Sequence, residues 1–339
     1  MKIIVDAMGG DFAPEEIVKG ALDAVRLLGV ELVLCGREKD ILRVLAINNL
    51  KDLPNGVEVV NASETVEMDD DPSNAVRTKK DSSMAVALAL LRDGGGEAMV
   101  SAGNTGALLA GATLIVKRVQ GIRRAALAPV IPNAAKGFVM IDSGANAQCT
   151  AEYLLQFAYM GSYYAQYILG FDSPRVGLLN IGTEPSKGTQ LQLDAYELIQ
   201  KAASQSKLNF VGNVEAKEVM NGICDVLVSD GFTGNIMLKA FEGVSSFLLS
   251  EFKTMFSKNL KTKLAAVLAR KDIAGIKDRL NPDAIGGTIM LGISKPVIKA
   301  HGSSNARAIT NAIRQAMAAA NADINIRLLE SVNIISQES

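Results

Sequence analysis

Six short, glycine-containing polar segments carry the side chains of this chain that could do chemistry. Most of them follow an apolar, strand-like run, and several precede a helix-like run. Loops that leave the carboxyl ends of parallel strands converge on one crevice, so six such loops would form a single site. Their backbone N–H groups and small polar side chains suit an anion, phosphate above all. The segments span residues 6–11, 101–106, 142–146, 180–184, 229–235 and 301–305.

Four residues in or beside these segments are candidate catalytic groups. Lys187, which follows segment 180–184, is the lysine of the polar loops, and a cation among glycine amides can hold phosphate or a developing oxyanion. His301, the only histidine, precedes Gly-Ser-Ser-Asn and is expected to orient phosphate or relay a proton. Asp230 is expected to orient one of these two groups, and Asn235 to position the reactants. The alternatives are an exposed loop lysine, a structural histidine, and turn chemistry at Asp230 and Asn235.

The remaining candidate site residues are glycines, small polar residues and one carboxylate. Glycine lets the backbone approach a bound anion closely, and the small polar side chains supply hydrogen bonds. Segment 101–106 precedes a helix-like run but matches neither the Walker pattern nor the GxGxxG fingerprint, and a structural turn is its alternative. The residues predicted to bind substrate or phosphate are Asp6, Gly9, Gly10, Ser101, Gly103, Asn104, Thr105, Gly106, Asn146, Gly182, Thr183, Gly231 and Gly234.

Metal and thiol chemistry receive little support from the sequence. The aspartates at 69–71 are consecutive, so their side chains do not converge on a metal ion, and no metal is expected. The three cysteines show no CxxC spacing, so neither a disulfide framework nor a zinc site is expected. Cys35 and Cys224 lie in apolar runs typical of a core, whereas Cys149 follows segment 142–146 and is a weak candidate nucleophile.

The composition excludes several classes of protein. The chain has 339 residues, 48% of them apolar, which favours a large core and argues against disorder. The net charge is −1, so no global field attracts nucleic acid or an anionic membrane. The N-terminus begins as a strand rather than a signal peptide, and the uncharged runs are too short to span a bilayer. We therefore expect a cytoplasmic protein.

Strands that alternate with helices are needed to position the six segments. Short β-branched or apolar runs predict strands, and apolar residues spaced three or four apart predict helices. The alternation indicates a three-layer α/β/α fold with a mostly parallel sheet, and residues 1–339 are expected to form a single catalytic unit. Predicted strands span residues 3–5, 31–34, 57–61, 98–100, 126–131, 137–141, 176–180, 210–212 and 226–228, and predicted helices span 15–28, 39–48, 82–92, 107–116, 152–169 and 191–204.

The predicted helix at 152–169 holds five of the six tyrosines of the chain. That density is typical of a helix packed at a dimer or domain interface.

Residues 67–80 are rich in charged side chains, and their acidic run is followed by Arg77, Lys79 and Lys80. This stretch is either a solvated, mobile loop or a loop that contacts substrate.

Residues 239–271 offer only helical spacing and interrupt the alternation of strands and helices. From Lys253 to Lys271 there are six cations and no acid. Residues 239–280 are therefore predicted to form an amphipathic helical insertion. It either packs on the core with a solvated basic face, or projects and touches a membrane surface or an acidic partner protein.

Seven motifs in order resemble those of the bacterial phosphate acyltransferases of phospholipid synthesis. They read DAMGGD, SAGNTGA, DSGAN, NIGTE with a following Lys-Gly, SDGFTGN, GGTIMLG and HGSS, and they extend from about Lys2 to about Ile335. Enzymes of that family convert acyl-[acyl carrier protein] and inorganic phosphate into acyl phosphate and free carrier protein. The resemblance implies a fold akin to phosphotransacetylases and isocitrate-dehydrogenase-like enzymes, a homodimer, and no metal, nucleotide or other cofactor.

The resemblance also implies partners. They are acyl carrier protein, inorganic phosphate, the inner face of the cell membrane as a peripheral contact, and the glycerol-3-phosphate acyltransferase that uses acyl phosphate, with no nucleic acid. The chemistry fits such a site, because phosphate is already an anionic nucleophile at neutral pH and a thiol departs readily as thiolate. The protein would mainly hold two anionic reactants together and stabilise an oxyanion.

Three other functions stay open at this point. A phosphotransacetylase acting on short acyl-CoA would share the chemistry. A decarboxylating dehydrogenase would need a carboxylate metal cage and a nicotinamide site, and neither is visible in the sequence. A membrane-surface scaffold would use the basic helical segment without turnover.

Overall fold

The described strands form two sheets, where the sequence indicated one. The computed structural model describes residues 1–50, 52–205, 208–280, 286–324 and 328. The strands are β1 (Lys2–Asp6), β2 (Glu31–Gly36), β3 (Val57–Asn61), β4 (Ala98–Ser101), β5 (Ala126–Ala128), β6 (Val130–Ile131), β7 (Phe138–Ile141), β8 (Arg175–Asn180), β9 (Asn209–Glu215), β10 (Val226–Val228), β11 (Thr288–Leu291) and β12 (Val297–Lys299). One sheet has the order β3-β2-β1-β4-β12-β11-β5, and the other has the order β6-β7-β10-β8-β9.

Helices pack on both faces of these sheets, as the predicted α/β fold requires. They are α1 (Glu15–Leu28), α2 (Glu38–Ile47), α3 (Ala75–Thr78), α4 (Ser83–Arg92), α5 (Thr105–Gly111), α6 (Ala151–Tyr167), α7 (Gln190–Ser204), α8 (Ala216–Val219), α9 (Gly231–Ser257), α10 (Leu260–Leu268), α11 (Arg270–Leu280) and α12 (Ala306–Asn321). A π-helical turn, Ala112–Val116, follows α5 directly.

Strand pairing is mostly parallel in both sheets. In the seven-stranded sheet, β1 lies between β2 and β4, and β4 also pairs with β12, all in parallel. In the five-stranded sheet, β10 lies between β7 and β8 in parallel. Strands β11 and β6 run antiparallel to their neighbours. The carboxyl ends of β1, β4 and β12 therefore meet at one edge, and those of β7, β10 and β8 meet at another.

Alternate residues of β1 pack into two separate cores. Ile3 and Val5 belong to the core that includes α1 and α12, whereas Ile4 belongs to the core that includes α4. All three side chains are fully buried. Successive side chains of a strand point to opposite faces, and a parallel sheet is covered on both, which explains the unbroken apolar run.

The two sheets are joined where β5 meets the segment after β7. The Leu127 amide donates to Asp142 Oδ1 (3.0 Å), and the Leu127 carbonyl accepts from the amide and the hydroxyl of Ser143 (3.1 Å each). Asp142 and Ser143 are buried, so water does not compete for these bonds. The bonds fix the strand ends of one sheet relative to those of the other.

Helix α6 carries the tyrosine-rich sequence, and two of its tyrosines belong to the core of this chain. Tyr159 and Tyr164 are fully buried. Tyr164 Oη accepts a hydrogen bond from Gln315 Nε2 of α12 (2.9 Å), which links a helix of the five-stranded sheet to one of the seven-stranded sheet. Packing within one chain explains why these two tyrosines are buried. The predicted dimer contact would therefore use more exposed tyrosines of α6, such as Tyr167.

Helices α9 to α11, which we call the helical element, cover nearly all of residues 231–280 and include the segment 239–280 for which the sequence predicts a helical insertion. Helix α10 packs against α9 and α11 and contains no buried residue. Among the described helices, none combines the length and the apolar character needed to cross a lipid bilayer. The large apolar side chains exposed on this element include Val244, Phe247, Leu248, Phe252, Met255, Leu260, Leu264, Val267 and Leu268.

Substitution of Gly20 by alanine should destabilise the fold, because α1 and α12 cross at this glycine. A Cβ at position 20 would lie 2.7 Å from Cβ of Ile309, and the Gly20 carbonyl accepts a bond from Thr310 Oγ1 (2.9 Å). Overpacking of this kind lowers the free energy of unfolding by about 1–3 kcal/mol, which urea denaturation measures.

A second glycine of the chain supplies the matched control for this measurement. A Cβ at Gly243 of α9 would have no neighbour within 4 Å. Gly243→Ala should therefore raise the free energy of unfolding by about 0.5–1 kcal/mol, through helix propensity alone. Equal stability of Gly20→Ala and the wild type would contradict the close crossing.

Candidate active site

The six polar segments lie at the carboxyl ends of six parallel strands, three in each sheet. We call the segments after β1, β4 and β12 the first loop group, and those after β7, β10 and β8 the second loop group. The first group comprises 6–11, 101–106 and 301–305, and the second comprises 142–146, 229–235 and 180–184. The expectation of one rim on one sheet is therefore wrong, because pairing divides the six strands between two sheets.

A buried carboxylate holds the first loop group together. Asp6 Oδ2 accepts from Ser101 Oγ (2.7 Å), and Ser101 Oγ accepts from the Gly103 amide (3.1 Å). Burial raises the pKa of Asp6, while hydrogen bonds from Ser101 and other donors oppose that rise. The Asp11 amide donates to the Gly302 carbonyl (2.8 Å) and ties the first segment to the third. Asp6 and Ser101 therefore shape the loops from beneath.

The paired glycines after β1 are required by the close approach of two segments. A Cβ at Gly9 would lie 2.7 Å from the amide nitrogen of Gly103. Gly10 has a φ of +108° and lies against Ala102. Larger residues at either position would push the first and second segments of this group apart.

A second buried carboxylate holds the second loop group together. Asp142 Oδ2 accepts from the amide and the Nδ2 of Asn146 (2.7 and 2.9 Å), and Oδ1 accepts from three backbone amides. Burial raises the pKa of Asp142, and these hydrogen bonds oppose the rise. Gly231 and Gly234, in the first turn of α9, pack against this segment, and the Gly231 amide donates to the Asn146 carbonyl (2.8 Å).

Two predicted site residues cap helices. The Asp230 carboxylate accepts from the amide (2.9 Å) and the hydroxyl (2.8 Å) of Thr233, which caps α9. Asn104 Oδ1 accepts from a first-turn amide of α5 (3.0 Å). The described contacts of Asp230 include neither Lys187 nor His301, so its orienting role stays a prediction.

The acidic run after β3 is attached to the first loop group. Asn104 Nδ2 donates to the Met68 carbonyl (3.0 Å), and Gly106 packs against Pro72. Asp70 pairs with Lys79 (2.5 Å), and the hydrogen bond from Lys79 lowers the pKa of Asp70. This stretch therefore borders segment 101–106 instead of extending freely into solvent, and it contains the short helix α3, which the sequence pattern did not predict.

A cleft of about 220 Å³ opens between the two loop groups. The first group lines it with Thr105, His301 and Ser304, and the second group lines it with Ser143 and Asn235. Of the predicted site residues, the cleft thus brings together Thr105, Asn235 and His301 from both sheets.

Lys299, the last residue of β12, is a buried cation of this cleft that sequence reasoning overlooked. The residue is 8% exposed, and its Nζ donates to the carbonyls of Ala102 (3.3 Å) and Ala300. Burial lowers the pKa of Lys299 to about 8, although the charges of Asp6 and Asp11 act in the opposite direction. An ammonium has three donors, so these two bonds leave one for a ligand. The available signal was a lysine ending an apolar run two residues before the only histidine.

Ser304 supplies a second polar group to this end of the cleft, and its buried hydroxyl has no partner among the described residues. A buried hydroxyl in that state costs about 1–3 kcal/mol, which an anionic acceptor would relieve. Lys299 and Ser304 therefore make one end of the cleft suited to an oxyanion.

His301 is exposed beside these two groups. Its Nδ1 accepts from the Ser303 amide (3.3 Å) and lies 2.8 Å from Ser303 Oγ. With Nδ1 as acceptor, the neutral ring carries its proton on Nε2. That N–H is available to donate to a ligand.

The loop after β8 contributes no lining residue to the cleft as the structure describes it. Gly182 is half-buried, and Thr183 and Lys187 are exposed. Asn180 Nδ2 donates to the Lys187 carbonyl (2.9 Å), which fixes the backbone of the loop at the strand ends next to β10. The structure thus places Lys299, and not Lys187, inside the cleft.

The cysteines do not present a reactive thiolate. Cys35 and Cys224 are fully buried, as their apolar surroundings in the sequence predicted. Burial raises the pKa of Cys149 to about 11, so its thiol is protonated at neutral pH. Catalysis by Cys149 therefore gains no support.

A family model described as fatty acid synthesis protein matches residues 1–327. The chain belongs to this family. Similar proteins are the phosphate acyltransferases of Oceanobacillus iheyensis (46% identical over 317 residues, 93% of this chain and 92% of that protein) and Brevibacillus brevis (46% over 335 residues, 98% and 97%). The phosphate acyltransferase of Clostridioides difficile is 45% identical over 316 residues (93% and 91%). The resemblance carried by the seven motifs is confirmed, and the chain is an enzyme of the acyltransferase class.

Solved structures share the fold at low sequence identity. A phosphotransacetylase from Streptococcus pyogenes matches with a TM-score of 0.64 at 19% identity, covering 95% of this chain and 94% of that one. A 4-hydroxythreonine-4-phosphate dehydrogenase from Klebsiella pneumoniae matches with a TM-score of 0.53 at 15% identity, covering 94% and 98%. The expected likeness to the phosphotransacetylase fold is confirmed.

Proposed function

We propose that this enzyme transfers a fatty acyl group from acyl-[acyl carrier protein] to inorganic phosphate, giving acyl phosphate for phospholipid synthesis. Acyl transfer to phosphate is supported by the family and by relatives named phosphate acyltransferase. The observation that carries the proposal is the cleft, which combines a buried ammonium and an unpartnered hydroxyl with a largely apolar wall. Such a cleft suits an anion and an apolar chain together.

In the proposed reaction, an anionic phosphate oxygen attacks the carbonyl carbon of the thioester. A C–O bond forms, and the carbonyl electrons move onto oxygen to give a tetrahedral oxyanion. When the carbonyl re-forms, the C–S bond breaks and sulfur leaves as a thiolate that takes a proton from solvent. Phosphate is already anionic and the leaving thiol has a pKa of about 8.5, so no strong base is required.

The cleft residues divide these tasks in our proposal. Lys299 and Ser304 hold phosphate, because a charge-assisted hydrogen bond is about twice as strong as a neutral one. His301 donates from Nε2 to phosphate or to the oxyanion, and Asn235 positions the thioester. Lys187 is the competing phosphate cation.

A phosphotransacetylase acting on short acyl-CoA is the alternative, favoured by the likeness to solved phosphotransacetylases. The chemistry would be the same. The apolar wall, which includes Val130, Leu238 and Phe241, favours a longer chain, because an acetyl group has too little apolar surface to cover it.

Helices α9 to α11 are the proposed contact with acyl carrier protein or with the membrane. Exposed Lys261, Lys263 and Arg270 suit an acidic partner, and the exposed leucines 260 and 264 suit the interface of a bilayer. A homodimer, a cytoplasmic location and delivery of the product to a glycerol-3-phosphate acyltransferase belong to the same proposal.

Release of free thiol from palmitoyl-[acyl carrier protein], with palmitoyl-CoA in parallel, tests the proposed function. We expect release that requires phosphate, with the acyl phosphate trapped by hydroxylamine as a hydroxamate. A preference for the carrier protein supports the proposal, and a preference for CoA supports the alternative. Release without phosphate, or none with either donor, would reject acyl transfer to phosphate.

Variants of the two candidate lysines identify the phosphate cation. Lys299→Met should lower kcat/KM for phosphate by about 10²–10³ and Lys187→Met by much less, because Lys299 lies inside the cleft. Since Lys299 loses its proton as the pH rises through about 8, the wild-type KM for phosphate should rise above that pH. Lys299→Met should lack this rise. The opposite ranking of the two variants would assign phosphate to Lys187.

Membrane contact through helices α9 to α11 is tested by flotation with vesicles that contain phosphatidylglycerol. Leu260 and Leu264 are 85% and 62% exposed. Replacing both by aspartate should reduce flotation, because buried apolar surface and a basic face drive interfacial binding. Aspartate at Ile47 and Leu114, which are exposed elsewhere, is the matched control and should leave flotation unchanged. Undiminished flotation of the first variant would reject contact through this element.

A further inference from the structure

The cleft has a polar end and a long apolar wall. Lys299, Ser304 and His301 form the polar end. The wall consists of the segment around β6 on one side and α9 on the other, and it is lined by Pro129, Val130, Ile131, Pro132, Leu238 and Phe241. Phosphate binding explains the polar end of the cleft but does not explain the apolar wall.

Helix α9 determines the direction of the groove. Asn235, Leu238, Lys239 and Glu242 are spaced i, i+3, i+4 and i+7, so they share one face of the helix, and all four line the cleft. With a rise of 1.5 Å per residue, this face spans about 10 Å along the helix axis. Asn235 is the fifth residue of α9, near the strand ends, so the groove leads away from the polar end along α9.

The apolar wall is supported from behind by a core of its own. Leu238 and Phe241 are half-buried and pack against the core that contains Ile131, Phe138 and Leu227. Ile131 itself is 2% exposed. Both sides of the wall therefore pack against the core, so the groove is already formed before a ligand binds.

We propose that the acyl chain of the donor lies in this groove between β6 and α9, with its thioester at the polar end, and that Leu238 limits the chain length. The proposal rests on the proposed function. The occupant is an acyl chain rather than a polar group, because one cleft contains both the residues that suit an oxyanion and the apolar side chains of β6 and α9. Lys239 and Glu242 pair with each other at the rim (2.7 Å), so their charges are satisfied there.

Chain-length dependence follows from burial of methylene groups. Each methylene removed from water contributes about a fourfold gain in affinity. The wild-type kcat/KM should therefore rise about fourfold per methylene from butyryl toward longer donors until the groove is filled.

The test compares Leu238→Trp with Leu114→Trp over donors from butyryl to palmitoyl. Leu114 is 55% exposed and lies away from the cleft, so it is the matched control. We expect Leu238→Trp to lower the ratio of kcat/KM for palmitoyl donors to kcat/KM for butyryl donors at least tenfold, because the indole fills the groove beyond its polar end. Leu114→Trp should keep the wild-type profile. Urea denaturation shows whether each variant is folded.

A second variant and a binding measurement complete the test. Leu238→Ala removes the side chain that limits the chain length, so the donor with the highest kcat/KM should shift to a longer acyl chain than in the wild type. Binding of cis-parinaric acid, a fluorescent fatty acid, should be strong in the wild type and in Leu114→Trp and weak in Leu238→Trp.

The outcomes separate this proposal from the proposed function. An unchanged chain-length profile in both Leu238 variants of an active enzyme would overturn the groove and leave acyl transfer intact. Failure of the wild type with every thioester would overturn acyl transfer. Binding of cis-parinaric acid would then test the groove. Loss of binding in Leu238→Trp alone would uphold the groove. Equal binding by all forms, or binding by none, would overturn it.

Discussion

Burial of the Lys299 ammonium at the ends of β4 and β12 is the constraint on which the first loop group depends. Removing an ammonium from water costs several kcal/mol unless nearby groups replace its hydration. Two backbone carbonyls do so directly, and the negative charges of Asp6 and Asp11 act from the adjacent segment. Asp6 in turn needs the Ser101 hydroxyl, because a buried carboxylate is equally costly without donors. The three segments are therefore coupled, and a change in one alters the setting of the cation.

The second loop group is organised by the same principle with the opposite charge. Asp142 collects backbone amides from its own loop and from β5, so one carboxylate sets both the loop and the junction of the two sheets. The first turn of α9 packs against this loop, and Asp230 caps the helix there. The position of Asn235 and Leu238 thus depends on a buried carboxylate that does not line the cleft. Helix α9 connects two parts of the molecule, because its first half lines the cleft and its second half packs against α10.

The local sequence pattern predicted most of the helices and strands, but it did not predict how they assemble. The strands Val57–Asn61 and Val226–Val228 have the predicted bounds, because an apolar run ends there in turn residues. Strands β11 and β12 were not predicted, since glycines and a proline break the apolar run, and division of the strands into two sheets depends on partners far apart in sequence. In the site, His301 was found because its setting is polar. Lys299 was not, since a lysine at a strand end is ordinarily solvated and only the packing of three loops buries it.

The joining of a polar end and an apolar wall in one cleft has an electrostatic consequence for the proposed reaction. An acyl chain lying along α9 would displace water from the neighbourhood of Lys299, and the attraction between an ammonium and a phosphate strengthens as the local dielectric constant falls. The same exclusion removes the water that would otherwise hydrolyse the thioester or the acyl phosphate. A short acyl group does not displace water from the apolar wall, so it neither strengthens the attraction between Lys299 and phosphate nor protects the reactants from hydrolysis. The apolar wall would thus serve turnover as well as binding, because the Lys299 charge that holds the attacking phosphate acts most strongly when the chain is in place.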